Sequence, residues 1–372
     1  MAEDLRAWAR VDLARLAANY RAVAASCAVP LMPVVKADAY GHGADRVGRV
    51  LESLGAPMLA VAYHEEGVAL RRAGIRVPIL VLTGCFGGQE QAFADHGLTP
   101  VVSTPATAQG ALAAGRTLGR PLPVHLKVDT GMGRLGLAPD DVVAEAERLG
   151  ASGLVELVGL TTHLSSADED AEVTERQLDV FDEVLARLAA RGIRPRLVHV
   201  AHSAGLSHLR PTHTLARPGL LLYGLKPRPL SPAIDVSPVM TVAARIALVK
   251  DVPPGAAISY GGRWVARRPS RIATVCLGYA DGVPRTRGMI EEGAFSVAGR
   301  RAPVAGTVCM DLVMLDVTEV PGASEGGEAV LFGDDPTAWD VGGWAGTNAW
   351  EVLTRVGPRV PRVYVGDAEA PA

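Results

Sequence analysis

The chain has 372 residues, 48% hydrophobic and 21% charged, the balance of a folded globular protein rather than a disordered one. A net charge of −3 gives no basic footprint for nucleic acid or an acidic membrane surface. No apolar run is long enough to span a bilayer, and the opening MAEDLRAWAR has acids where a secretory signal has bases, so a cytoplasmic location is expected.

The length suits two domains. Apolar runs of strand length fall at 31–35, 59–62, 79–82, 99–102, 124–128, 155–160, 197–200 and 219–222. Between most of them lie Ala-, Arg- and Glu-rich segments with helical spacing, such as 140–149 and 173–191. Repeated strand–helix units of this number predict an α/β fold with a closed, TIM-like (β/α)8 barrel; a doubly wound sheet is the other arrangement such units can form. Pro227, Pro229 and Pro232 then break the texture. Short β-rich runs follow at 240–252, 272–277, 294–297, 312–317 and 329–332, predicting a smaller, mostly β domain. The expected division is a barrel over 1–231 and a β domain over 232–372. Cys27, Cys85, Cys276 and Cys309 have no metal or CxxC spacing, so free buried thiols and no metal site are expected.

In a (β/α)8 barrel the chemistry sits at the carboxyl ends of the strands. The first strand delivers Lys36, the fifth Lys127, Asp129 and then Arg134, and the sixth His163. The seventh ends at His202 and Ser203, and the last opens on Arg217-Pro218-Gly219 and closes on Tyr223-Gly224. Only four of the 37 basic residues are lysines: Lys36, Lys127, Lys226 and Lys250. A chain that uses arginine wherever a plain charge serves keeps lysine where an ammonium must lose its proton and become a nucleophile. A lysine at an apolar strand end is partly desolvated, which lowers its pKa and favours attack on a carbonyl. Taken alone, Lys36 is equally a surface residue capping a strand, and Asp129 with Arg134 is more readily an ion pair holding a turn, because ion pairs are common. His163 alone is more often a satisfied core histidine than a catalyst, and Tyr260, in the run ISYGG, would by itself be an ordinary β-domain tyrosine. Ser203 with Ala204-Gly205 is one of many candidate phosphate-binding helix starts.

Together the motifs are specific. VVKADAYGHG (34–43), HLKVDTGMGRLG (125–136), TH (162–163), HSAG (202–205), RPGLLLYG (217–224), ISYGG (258–262), GYADGVPR (278–285), GTVCMD (306–311) and RVPRVY (359–364) occur in order, and through them the chain resembles the alanine racemase family over nearly its whole length. The resemblance implies an isomerase that interconverts L- and D-alanine for cell-wall peptidoglycan, with pyridoxal 5′-phosphate (PLP) as cofactor. It implies an obligate homodimer with shared active sites. Lys36 would carry the cofactor and serve as one base. Tyr260 of the partner subunit would serve as the other, because racemisation removes a proton from one face of Cα and returns it to the opposite face. His163 would hydrogen-bond that tyrosine and be held by Arg217, which also meets the pyridine nitrogen. Arg134 would contact the phenolic oxygen and the substrate carboxylate, helped by the backbone of Met310. Tyr40, Ser203, Gly219 and Leu220 would cradle the phosphate, and Tyr279 would line the entrance. Lys127 matches a lysine carbamylated in many relatives.

Three residues depart from the family pattern: His202 where Asn is usual, Trp350 where a tyrosine contacts the phosphate, and Asn348 where the entrance is commonly apolar. The indole N–H of Trp350 would replace part of the phosphate contact, and Asn348 would offer an amide to a polar substrate and raise serine turnover. A serine or broad-specificity racemase of the same fold is therefore the alternative reading. A non-catalytic PLP carrier would lack the second domain and Tyr260. A barrel-type PLP decarboxylase would place an acid, not Arg217, at the ring nitrogen.

Overall fold

The computed structural model describes residues 4–229 and 231–366. The chain forms two compact units. The first comprises residues 17–39 and 44–236. Six parallel strands, Leu59–Val61, Ile79–Val81, Leu98–Val102, Leu122–Lys127, Val155–Thr161 and Leu197–His199, pair in chain order. Helices alternate with them, the hallmark of β–α–β crossovers. Helix Ala171–Ala190 shows why: its buried residues Thr174, Gln177, Leu178, Phe181, Val184 and Leu188 recur at helical spacing, and the Asp170 side chain caps its first turn by accepting the Val173 amide at 3.0 Å.

The ring closes with two positions more irregular than the sequence suggests. The expected strand at 31–35 is reduced to bridges from Leu31 to Ala216 and from Val34 to Ala60. Backbone bonds from Met32 N to Ala216 O and from Val35 N to Ala60 O join both neighbours. The expected strand at 219–222 is instead a 3-10 turn, Leu220–Tyr223, and the closing contact comes earlier, at Ala216. Pro218 explains the shift, since it lacks the N–H a ladder needs. The barrel is therefore present, with its first and last staves held by single bridges.

Among the described residues, the second unit contains 4–16, Tyr40–Gly43 and 237–366. Its axis is the long strand Met240–Val252. The first half of that strand pairs antiparallel with Ala7–Asp12 on one side and Glu328–Phe332 on the other. The second half pairs with Ser270–Val275, which continues to Val313–Asp316. Ala7–Asp12 also pairs in parallel with Arg362–Val365, so the amino-terminal segment joins this sheet and not the barrel. Ala294–Val297 and Arg300–Pro303 form a hairpin at the sheet's edge. Cys85 is buried, whereas Cys27, Cys276 and Cys309 are partly exposed, and all four are free thiols. Among the described residues no helix is long and apolar enough to cross a membrane, and no cluster could hold a metal ion.

Candidate active site

Lys36 leaves the barrel at the carboxyl end of the first stave, and the backbone then enters a left-handed turn. Ala37, Asp38, Ala39 and Tyr40 all have φ of 53–54°. Left-handed L-residues cost roughly 1–2 kcal/mol each, so other contacts must hold this turn. Glu66 accepts the Ala37 amide at 2.6 Å and, with its other oxygen, the Ala62 amide at 2.7 Å. Asp38 accepts the Ala44 amide at 2.7 Å. The pKa of Lys36 is lowered by burial first and by the Arg134 charge second, against a smaller upward pull from Glu66. That is the environment a nucleophilic amine requires.

Lys127 ends the fifth strand and is pushed down to about 8, again by burial and then by Arg217 and Arg134. Arg134 stands exposed on the loop that follows. The sequence left open an ion pair between Asp129 and Arg134; among the described residues it does not form. Asp129 instead accepts the Gly131 and Gly133 amides at 3.0 and 3.1 Å, shaping the loop and leaving the guanidinium without a carboxylate.

Arg217 is buried and donates only to neutral acceptors: Thr161 Oγ1 at 2.5 Å, His199 Nδ1 at 2.5 Å, and the carbonyls of His199, Thr162 and Val200 at 2.6, 2.7 and 3.0 Å. Burial without a counter-ion lowers its pKa to about 9. His163 Nδ1 lies 3.5 Å from the same guanidinium, and its ring packs 4.9 Å from that of His202. Burial, then His202 and Arg217, hold His163 well below its ordinary pKa, and burial takes His202 to about 4. His202 accepts the Ala204 amide and faces the Leu164 carbonyl at 3.3 Å, so its tautomer is fixed. Ser203 Oγ accepts the amides of Gly219 at 3.0 Å and Leu221 at 3.2 Å, which leaves its O–H proton for an outside acceptor. The Gly219 amide, expected to face a phosphate, is thus used by Ser203.

In the second unit, Tyr260 opens a short turn and is 71% exposed. Its carbonyl accepts from Thr307 Oγ1 at 3.0 Å, and Ser259, at φ 64°, donates to the Thr307 carbonyl at 2.6 Å. Gly306 is needed here, because a Cβ would lie 2.7 Å from the Ile258 carbonyl oxygen. Tyr279 and Met310 are also exposed, and the amides of Tyr279 and Ala280 bond the Cys309 and Met310 carbonyls. Beneath them Asp281, with no side-chain exposure, binds Arg6 at 2.7 Å and Arg359 at 3.0 Å. Tyr40 is pushed up to about 12 by burial and so stays a neutral hydroxyl. Trp350 sets its ring edge-on to Trp339 at 5.8 Å. The Asn348 oxygen accepts the Glu351 amide at 2.9 Å, so that side chain is a helix cap before it is an entrance residue.

The structure therefore gathers Lys36, Lys127, Arg134, His163 and Arg217 into one electrostatically coupled group in the barrel. Glu66, Thr161, His125 and His199 escaped the sequence reading. The signal for both histidines was a polar residue inside an apolar strand. A barrel carrying a desolvated lysine among surplus cations defines the class of barrel-fold proteins equipped for lysine-dependent chemistry on an anionic substrate, and a separate β domain presents an exposed tyrosine. Family models agree: alanine racemase, N-terminal domain, over residues 11–227, and alanine racemase, C-terminal domain, over 239–364. An alanine racemase of Sorangium cellulosum is 43% identical, the match covering 96% of this chain and 98% of the relative. The solved alanine racemase of Streptomyces lavendulae superposes with a TM-score of 0.91 at 38% identity, covering 97% of each chain. That of Bartonella henselae, solved with covalently bound pyridoxal phosphate, gives 0.85 at 28% identity, covering 97% of this chain and 99% of that one. The chain belongs to the alanine racemase family.

Proposed function

We propose that the chain interconverts L- and D-alanine with PLP held on Lys36, and that it works as a homodimer in which Tyr260 of the partner subunit completes each site. The observation that carries this reading is Lys36 itself: a lysine shifted toward its neutral form by burial and by Arg134, on a strained turn at a barrel strand end. The surrounding residues fit the cofactor. Arg134, without a carboxylate partner, supplies positive charge for a carboxylate, and Ser203 offers a free O–H for a phosphate. When bound, PLP supplies an electron sink that acidifies the substrate Cα–H.

The protein's own residues then divide the work. Arg134, without a carboxylate partner, holds the substrate carboxylate. Lys36 and Tyr260 take up and return a proton on opposite faces of Cα. His163, kept neutral, can accept and donate one hydrogen bond, which suits it to hold the Tyr260 hydroxyl. Arg217 only donates, so it would meet the cofactor's ring nitrogen as a bare acceptor and leave the bound group a weaker electron sink, which would favour return of the proton over side reactions. Tyr40, Leu220 and Trp350 complete the phosphate surroundings, with Gly219 acting through its bond to Ser203, and Met310 and Tyr279 form the substrate entrance. No observation favours serine: the Asn348 oxygen is committed to its helix.

Borohydride reduction of the purified protein should fix the cofactor on the peptide containing Lys36. Lys36→Arg should abolish both the label and alanine racemisation, since a guanidinium cannot form the bond. A label on Lys226 or Lys250 would overturn the assignment.

A further inference from the structure

Arg217 ends a chain of hydrogen bonds that runs back through the barrel interior. His199 Nδ1 lies 2.5 Å from the guanidinium, and His199 Nε2 lies 2.6 Å from His125 Nδ1. Both histidines and Arg217 are buried. Gly159 makes room, because any Cβ there would collide with the His125 ring. Strand alternation places Pro123, His125 and Lys127 on one face, so the imidazoles occupy the layer between the Lys127 level and a 320 Å³ cavity at the amino ends of the strands, lined by Pro123 and Leu197.

The donors in this chain are forced. Arginine only donates, so His199 must present a bare Nδ1 to it. The proton of His199 then sits on Nε2 and is donated to a bare His125 Nδ1. His125 must carry its own proton on Nε2, which is buried and finds no acceptor among the described residues. A buried donor left unpaired weakens the fold, so stability alone does not account for the arrangement.

We propose that His199 and His125 are positioning residues for Arg217: two neutral imidazoles, locked in their Nε2–H tautomers, that fix the guanidinium's orientation toward the barrel mouth. The proposal rests on the reading that Arg217 faces the cofactor. The surroundings agree with permanently neutral rings. His125 is acted on by Arg217 and Arg196 after burial, and His199 by Arg217, His125 and His213, every one disfavouring a positive ring. Burial and those charges take His125 to about 3. A charged ring at either place could not accept the bond that the next group upstream donates.

The test begins with the intact holoenzyme, labelled with ¹⁵N-histidine. The His125 and His199 signals, assigned in the wild type through the ¹⁵N–¹⁵N coupling across their mutual hydrogen bond, should each show one protonated Nε2 and one bare Nδ1, unchanged from about pH 5 to 9. His199→Leu removes the acceptor facing Arg217 and should lower kcat roughly tenfold or more, equivalent to ~1.4 kcal/mol per decade, with KM nearly constant. His199→Gln, which can accept from Arg217 and donate to His125, should recover most of that loss. Titration of either ring near its ordinary pKa, a proton on Nδ1, or equal kcat for the Leu and Gln variants overturns the proposal. The NMR measurement on the unmodified protein decides the matter if the variants fail to fold. Arg217→Ala separates the underlying reading: an unaltered cofactor absorbance there sinks the placement of Arg217, whatever the imidazoles show.

Discussion

At Lys127 three cations crowd one amine. Burial, Arg217, Arg134 and, more weakly, Lys36 lower its pKa to about 8, opposed only by Asp129. The folded value lies below that of an unfolded lysine, so the charge destabilises the fold at every pH below about 8. That penalty is relieved as pH rises from about 8 toward the unfolded value of roughly 10.4. Carbon dioxide offers another release at neutral pH. The ammonium first gives one proton to solvent; the neutral amine's lone pair then forms an N–C bond to CO₂ as a C=O π pair moves onto oxygen, a second N–H proton leaves to solvent, and a cation has become an anionic carbamate among arginines. With ¹³C-bicarbonate the protein should show a single carbamate resonance near pH 8 that Lys127→Arg removes. Absence of that signal in the wild type would end the idea. Scarcity put Lys36 and Lys127 on a shortlist of four lysines, and only the family motifs separated them from Lys226 and Lys250. The role of Asp129 was not, because a one-dimensional reading pairs opposite charges, whereas the folded loop gives the carboxylate two backbone amides at closer range.

Helix ends and strand edges show the same contrast between pattern and context. The strands at 240–252 and 294–297 fall where their runs of β-formers and flanking Gly and Pro put them. Ala7–Asp12 carried too little alternation to stand out, and its place was set by partners more than two hundred residues away, Met240–Ala244 and Arg362–Val365. Asn348 read as an entrance residue because only its motif position was visible. In three dimensions its oxygen satisfies one of the unpaired amides that open helix Ala349–Thr354. Asn348→Ile should therefore lower stability by about 1 kcal/mol, and Asn348→Asp should not. Denaturant unfolding of the three proteins checks this, with the serine-to-alanine ratio of kcat/KM expected to stay constant. A changed ratio with unchanged stability would restore the entrance role.

For the whole molecule the question is where Tyr260 acts. It is 71% exposed, and Tyr279, Met310 and Leu312 in the same unit are exposed too, at 41%, 51% and 37%. Large apolar side chains gathered on loops with rigid backbone clamps are what an interface requires, since ordering them costs little on association. A two-fold dimer would use that surface twice and place two Tyr260 side chains in two sites. Complementation distinguishes this from a tyrosine serving its own chain. Lys36→Ala subunits lack the cofactor lysine, and Tyr260→Phe subunits lack the phenol. If Tyr260 acts in trans, a heterodimer has one site with both defects and one with neither. Random exchange of equal amounts makes roughly half the dimers heterodimers, so about a quarter of wild-type activity should return. If Tyr260 serves its own chain, every site in the mixture keeps one defect and activity stays at the level of the separate variants. Differently tagged subunits, purified through both tags, isolate the heterodimer and should show about half the wild-type rate per dimer. A proven heterodimer without activity would place Tyr260 in its own subunit's site and remove the shared-site reading.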